Sequence, residues 1–134
     1  MRPNAFPSRE RIKSKKDIDL LFAHSHDRNV EVRSCLVYPL RIVWLKADRP
    51  EGSYDGARIL ISVPKKRLRH AVDRVLTRRR VREAWRRQTE RHVLGPIDIA
   101  FIFVADKTQK YSRIEGAITK FIAKLQGENK IDPQ

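Results

Sequence analysis

The strongest chemical feature of this sequence is a run of basic side chains between Lys65 and Arg91. Twelve of the 27 residues in this segment are Lys or Arg, and ten of those twelve are Arg. The planar guanidinium group makes paired hydrogen bonds to phosphate oxygens and stacks on flat rings, whereas a lysine acts as a point charge. The segment therefore predicts a surface that binds a phosphate backbone.

The spacing of these arginines indicates a helix with two unlike sides. No Gly or Pro occurs from His70 to Arg91, which leaves room for a helix of about 20 residues. Four arginines recur every four residues and form one stripe: Arg74, Arg78, Arg82 and Arg86. The other side collects the residues that would pack on a sheet: Thr77, Val81, Ala84, Trp85 and Gln88. A merely solvated face would carry mixed charges, and so one-sided a balance favours a nucleic-acid contact instead.

Other constellations that could do chemistry are weaker. Unaided cleavage of RNA needs a general acid and base, or carboxylates that hold metal ions at one phosphate, and the acidic residues are scattered. His24 and His26 have the spacing of a metal pair without a third ligand. His70 and His92 flank the basic helix, where either no functional role or a phosphate contact is favoured over catalysis. Cys35 is typical of a small buried side chain. We predict neither catalytic nor metal-binding residues.

Composition points to a polyanionic partner. Thirty Lys and Arg against sixteen Asp and Glu give a net charge of +14 and a sequence pI near 10.6. Nucleic acid and an anionic membrane surface both fit that charge. No apolar run approaches the roughly 20 residues that span a bilayer, and Met1 to Glu10 lack the apolar stretch of a secretory signal. We expect a protein of the cytoplasm that does not bind membranes.

The periodicity predicts one α/β domain over residues 10–126, with flexible tails at 1–9 and 127–134. The predicted elements are a helix at 14–22 capped by Ser14, strands at 34–46 and 58–63, the basic helix, a strand at 97–105 and a helix at 112–125. Residues 47–56 are predicted to form a hairpin loop between the first two strands. Ser112 is expected to cap the last helix, with Gly127 just past its end.

Two stretches of the chain carry a family resemblance. An apolar strand ends in Ser62, Val63, Lys65 and Lys66, and the helix that follows contains Arg74, Arg78, Arg79, Arg82, Glu83, Trp85 and Arg86. This arrangement resembles the protein subunit of bacterial ribonuclease P, in which Ser-Val-x-Lys-Lys precedes a helix with the pattern Arg-Asn-Arg-x-Lys-Arg-x-x-Arg-Glu-x-aromatic-Arg.

The resemblance extends over roughly residues 9–125. It includes an N-terminal group and a later strand: Arg11, Ile12, Asp17, Ile18 and Phe22, then Asp98, Ile99, Ala100 and Phe101. The chain departs from the pattern where Val75 and Leu76 replace an amide and a guanidinium, where Arg80 replaces an apolar residue, and where Ile18 replaces an aromatic one.

The resemblance implies a fold and a function. The implied fold is a single-domain α-β sandwich with a mixed four-stranded sheet and a left-handed crossover through the basic helix. The implied function is to bind the catalytic RNA of ribonuclease P and the 5′ leader of precursor tRNA as a monomer, while the RNA cleaves with Mg²⁺. The RNA-binding residues would be Lys65, Lys66, Arg67, Arg69, Arg74, Arg78, Arg79, Arg82 and Arg86. The leader cleft, between the first helix and the sheet, would use Arg11, Ile18, Phe22 and Tyr38.

Alternatives remain open at this stage. A non-catalytic ribosomal or RNA-assembly protein would show the same charge and helix, whereas a DNA-binding protein lacks support because no partner helix precedes the basic one. Trp44 is expected in the core. Phe22 and Tyr38 could either pack in the core or stack on unpaired bases.

Overall fold

The computed structural model describes residues 8–22, 32–47 and 49–131. Within these ranges the elements are α1 (Lys15–Leu21), β1 (Arg33–Val37), β2 (Leu40–Lys46), β3 (Arg58–Ser62), α2 (Ala71–Arg86), β4 (Ile97–Phe103) and α3 (Tyr111–Ile131). Short 3₁₀ turns lie at Ser8–Glu10 and Thr89–Val93. The predicted α/β class is confirmed.

The four strands form one mixed sheet in the order β1-β2-β4-β3. β4 runs antiparallel to β2 and parallel to β3, and α2 connects the two parallel strands. The predicted hairpin between β2 and β3 is wrong, because β4 lies between them. β4 is almost continuously apolar and buried on both faces, so a central position covers it better than an edge would.

The prediction of one strand over residues 34–46 is also wrong. A turn at Tyr38 and Pro39 separates β1 from β2, and Val37 pairs with Leu40 across it. The Tyr38–Pro39 peptide bond is cis. Proline has no backbone N–H to donate to a neighbouring strand, so it fits a turn better than the middle of a ladder.

The two faces of the sheet carry different helices. On one face α2 and α3 cover the main core. There the Trp44 ring packs edge-on against the Phe121 ring, with 5.1 Å between ring centroids, and the Trp85 and Phe101 ring centroids are 5.8 Å apart. On the other face α1 packs Leu21 against a smaller apolar cluster. Trp44 and Trp85 are core residues, as predicted. The sheet is therefore sandwiched, with α1 covering only part of its face.

Helix ends follow local chemistry, with two corrections. Ser14 caps α1 as predicted, its Oγ accepting a hydrogen bond from the Asp17 N–H at 3.4 Å. α3 begins one residue before Ser112 and continues to Ile131, so Gly127 lies inside the helix. An interior glycine costs a helix only about 1 kcal/mol, and the buried apolar side of α3 outweighs that cost. No helix in the described part of the chain is long and apolar enough to cross a membrane.

Candidate nucleic-acid interface

The loop between β3 and α2 presents the predicted lysine pair to solvent. The Pro64 carbonyl accepts hydrogen bonds from the N–H groups of Arg67 and Leu68 at 3.0 and 3.3 Å, and the Leu68 side chain is buried. This short turn leaves Lys65 and Lys66 exposed. Their ammonium groups are therefore held on a fixed turn beside the start of α2.

Arg74 has a different position from the one its spacing predicted. Its guanidinium turns back from the first part of α2 and donates to the carbonyls of Leu68 and Arg69, both at 2.9 Å. The side chain is half-buried. Arg74 therefore orders the loop, and it does not continue the outward stripe of the helix.

The middle of α2 carries the accessible arginines. Thr77, Val81, Ala84 and Trp85 are buried against the core, and this fixes which side of the helix faces outward. Three arginines on the remaining surface have no ion-pair partner within the described ranges: Arg78, Arg79 and Arg82. Arg79 and Arg82 are exposed and Arg78 is half-buried.

The end of α2 is partly neutralised. Arg86 donates from Nε to Glu83 at 2.9 Å and makes a second ion contact with the same carboxylate. The hydrogen bond from Arg86 lowers the pKa of Glu83, and the same bond raises the pKa of Arg86. Arg86 thus has a carboxylate partner that Arg79 and Arg82 lack.

The sequence departures on α2 have separate structural explanations. Val75 is 51% exposed, so an apolar group stands on the outer surface where the family pattern has an amide, whereas Leu76 is half-buried. Arg80 donates from Nη1 to the Gln109 carbonyl at 2.5 Å, toward the segment that precedes α3. Arg80 therefore links α2 to the segment before α3, and its side chain is half-buried.

A groove lies on the other face of the sheet, beside α1. Its volume is about 490 Å³, and its walls include Phe22 from the end of α1 and Arg41 from β2. Lys66 and Arg67 from the β3–α2 loop line the same groove. The floor is largely apolar, with Val43, Ile102 and Val104. Cationic groups therefore stand on two sides of an apolar floor.

The predicted cleft residues lie in different places. Phe22 lines the groove and is 38% exposed. Ile18 packs against the small cluster beneath α1, and Arg11 forms a parallel bridge with Ile59 at the edge of β3. Tyr38 is not among the residues that line the groove, and Arg113 of α3 lies 5.9 Å from its ring. Of these four predicted residues, Phe22 lines the groove, whereas Tyr38 lies outside its lining.

A buried ionic network holds α1 on the sheet. Asp98 is 3% exposed and accepts hydrogen bonds from Arg49 at 2.7 Å and from two nitrogens of Arg58 at 3.0 Å. Arg58 also bonds Asp17 of α1 at 3.0 Å. Spacing along the chain gave no sign of this network, since each bonded pair joins residues 40 to 49 positions apart. It fixes the helix that forms one wall of the groove.

One groove residue was missed at the sequence level. Arg41 is the polar residue between Leu40 and Ile42 in β2, and it points to the opposite face from these two buried neighbours. Alternation of polar and apolar residues along a strand could have identified it. The described residues contain no group of three or more potential metal ligands, and His24 and His26 lie outside the described residues.

Two comparisons with known proteins indicate the same family. Residues 6–126 match the family model described as Ribonuclease P. Two curated relatives, both described as "Ribonuclease P protein component" and from two strains of Porphyromonas gingivalis, are 31% identical over 126 residues. The match covers 88% of this chain and 84% of each relative.

Proposed function

The chain belongs to the bacterial ribonuclease P protein family, and from this premise we propose how its two surfaces share the binding of RNA. As a member it serves as the RNA-binding subunit of an endoribonuclease that removes the 5′ leader of precursor tRNA, and the RNA subunit performs the cleavage. The loop and outer side of α2 bind the catalytic RNA. The groove beside α1 binds the single-stranded leader.

One observation carries this division. Lys66 and Arg67 line the groove, and the same loop leads directly into α2. The groove and the arginines of α2 are therefore joined by a single basic turn, although they belong to opposite faces of the sheet. A protein held on the catalytic RNA through α2 would present the groove to a strand that emerges nearby.

The groove suits a single strand better than a duplex. Unpaired nucleotides offer flat base faces that stack on aromatic rings, while their phosphates bind basic side chains. Phe22 supplies a partly exposed ring, and Arg41 and Lys66 supply cations at the rim. Arg67 is paired with Asp106 at 3.1 Å, an exposed contact that a phosphate could replace at little cost.

The carboxylates of the described residues support a binding role. Asp17 and Asp98 are engaged by arginines, and Glu10 is buried against Arg91. None of these groups is arranged to hold a hydrated Mg²⁺ ion, which needs oxygen ligands in octahedral geometry. We assign the Mg²⁺ ions of the reaction to the RNA. The high net charge of +14 favours a monomer within the ribonucleoprotein. We propose that it acts in the cytoplasm, as the family membership implies.

Reconstitution tests the proposal. The wild-type chain is combined with a bacterial ribonuclease P RNA at low Mg²⁺, and 5′ processing of precursor tRNA is followed with and without protein. We expect strong stimulation, because the protein replaces part of the charge screening that Mg²⁺ supplies. A variant with Arg79→Ala and Arg82→Ala should stimulate less than the charge-matched Lys15→Ala, Lys46→Ala variant. Absence of stimulation by the wild-type chain would refute the proposal.

A further inference from the structure

The outer side of α3 carries a second concentration of positive charge. Arg113, Lys120 and Lys124 are exposed and separated by seven and four residues, which places them on one side of a helix with 3.6 residues per turn. Lys107 and Lys110 are exposed in the segment just before α3. We call the side of α3 defined by Arg113, Gly116, Lys120 and Lys124 the α3 basic face.

Over residues 111–127, where the side chains of α3 are described, the acidic group lies away from this face. Glu115 is the only acidic residue in that range, and Glu128 follows four positions after Lys124. Glu115 accepts a hydrogen bond from the Tyr111 hydroxyl at 2.9 Å, and Tyr111 in turn contacts Arg87 just after α2. Glu115 therefore belongs to the side of α3 that faces α2. Among the described residues, Arg113, Lys120 and Lys124 have no ion-pair partner.

Glycines open the backbone on the same side. Gly116 is exposed between Arg113 and Lys120, and a Cβ atom added to it would meet nothing within 4 Å; the same is true of Gly127. Packing therefore does not require glycine at either position, although glycine disfavours a helix. Because glycine has no side chain, a bulky partner can approach the helix backbone at these two positions. The neighbouring lysines can then contact the same partner.

We propose that the α3 basic face binds the phosphate backbone of the catalytic RNA as a second contact, separate from α2. The inference rests on the proposed function. α3 lies in the same layer as α2, on the sheet face opposite the groove, so the RNA bound by α2 is the polyanion within reach. Among the α3 side chains that are described, over residues 111–127, no large apolar one is exposed, as insertion into a bilayer would require.

Tyr38 stands at one end of this face. Its ring is 52% exposed and lies 5.9 Å from the Arg113 guanidinium. An exposed aromatic ring beside a cation can stack on an unpaired base while the cation binds the adjacent phosphate. The contact gives Tyr38 a place on the α3 basic face in place of the leader groove.

A charge-matched pair of variants tests the inference. Lys120→Ala, Lys124→Ala removes two charges from the face, and Lys15→Ala, Lys46→Ala removes two exposed charges elsewhere. Binding to ribonuclease P RNA alone is measured against salt concentration. Affinity falls as salt rises, so the slope of log affinity against log salt concentration is negative. The first variant should make this slope less steep by roughly 1.4–1.8, the value for two lost phosphate contacts. The slope of the second variant should stay near that of the wild type. Equal slopes would show a solvated face and overturn the inference.

The source of the RNA is tested in the same variants. With the holoenzyme assembled at saturating protein, the KM for precursor tRNA should not differ between Lys120→Ala, Lys124→Ala and wild type. A raised KM with unchanged affinity for ribonuclease P RNA would assign the face to precursor tRNA and overturn the assignment. If wild-type protein fails to stimulate processing, the proposed function fails by itself. Loss of the inference alone requires an active wild type and unaffected variants.

Substitution of Gly116 should change stability and RNA affinity in opposite directions. Gly116→Leu places a strong helix former at an open position, so the thermal midpoint should rise. If RNA lies close to the backbone there, affinity for ribonuclease P RNA should fall several-fold, and Gly116→Ala should fall less. A raised midpoint with unchanged affinity for both variants would contradict a close approach at Gly116.

Discussion

Arg91 and Glu10 form an ion pair although they are 81 positions apart in the sequence. The Arg91 Nε donates to Glu10 Oε1 at 3.0 Å, and both side chains are 2% exposed. Arg91 also donates to the carbonyls of Arg86 and Gln88 at 2.7 and 2.9 Å. The pair therefore joins the segment that leads into α1 to the C-terminal end of the basic helix, and so ties the wall of the groove to α2.

Removing one member of this pair should destabilise the protein strongly. Arg91→Met leaves the Glu10 carboxylate buried without its partner, and we expect the free energy of unfolding to fall by about 3–5 kcal/mol. Urea denaturation followed by circular dichroism measures it. The exposed Arg79→Ala serves as the matched control and should change stability by no more than about 0.5 kcal/mol. Similar stabilities for the two variants would mean that the pair contributes nothing.

Arg82→Ala should weaken RNA binding without affecting the fold. Arg82 is exposed and lacks an ion-pair partner among the described residues, so its loss removes a phosphate contact and little else. The negative slope of log affinity against log salt concentration should become less steep by about 0.7–0.9. Lys46→Ala removes the same charge from the end of β2 and controls for the change in overall field. A slope equal to that of the control would place Arg82 away from the RNA.

Arg74→Ala should act through the loop. The variant loses two hydrogen bonds that order residues 68 and 69, and the free energy of unfolding should drop by about 1–2 kcal/mol. Its salt slope should change less than that of Arg82→Ala, because the guanidinium is occupied by carbonyls. The two measurements are made on the same preparations. If Arg74→Ala made the salt slope as much less steep as Arg82→Ala does, and left the free energy of unfolding unchanged, the structural role of Arg74 would be refuted.

Phe22→Ala should affect the leader and not the catalytic RNA. Stacking of a base on an aromatic side chain contributes about 1–3 kcal/mol, so the KM for precursor tRNA with a long leader should rise roughly tenfold, which corresponds to about 1.4 kcal/mol. Precursors with a one-nucleotide leader should show no change. Leu36→Ala, which removes a 66% exposed side chain outside the groove lining, is the control. An equal KM effect for both leader lengths would exclude stacking at Phe22.

Glu83→Gln should change stability and RNA affinity in opposite directions. The hydrogen bond from Arg86 holds the pKa of Glu83 below its usual value of 4.5, so the charged form is favoured by folding. Its stabilisation is present above the unfolded-state pKa and disappears as pH falls through the lowered pKa of the folded state. Thermal midpoints should favour wild type at pH 7 and converge in strong acid. At pH 7 the variant should bind RNA more tightly, since Arg86 loses a competing carboxylate. A midpoint gap that persists in acid would contradict this.

Several features followed directly from the sequence. The density of arginine between residues 65 and 91, the cap at Ser14 and the apolar run of β4 are local, and the helix and strand periods that they express depend on hydrogen bonds and side-chain directions of near neighbours. The family resemblance was carried by a contiguous motif for the same reason. The matching family model confirms it.

The tertiary structure decided which of the basic side chains are free to contact RNA. Arg74 and Arg82 belong to the same stripe by spacing, yet one bonds to loop carbonyls and the other faces solvent. Tyr38 faces α3 and not the groove because Pro39 turns the chain there. Glu10 lies beside Arg91 because the N-terminal segment packs next to β3 and the end of α2. Spacing fixes the direction of a side chain on its own helix or strand, but its partners depend on packing between elements distant in sequence.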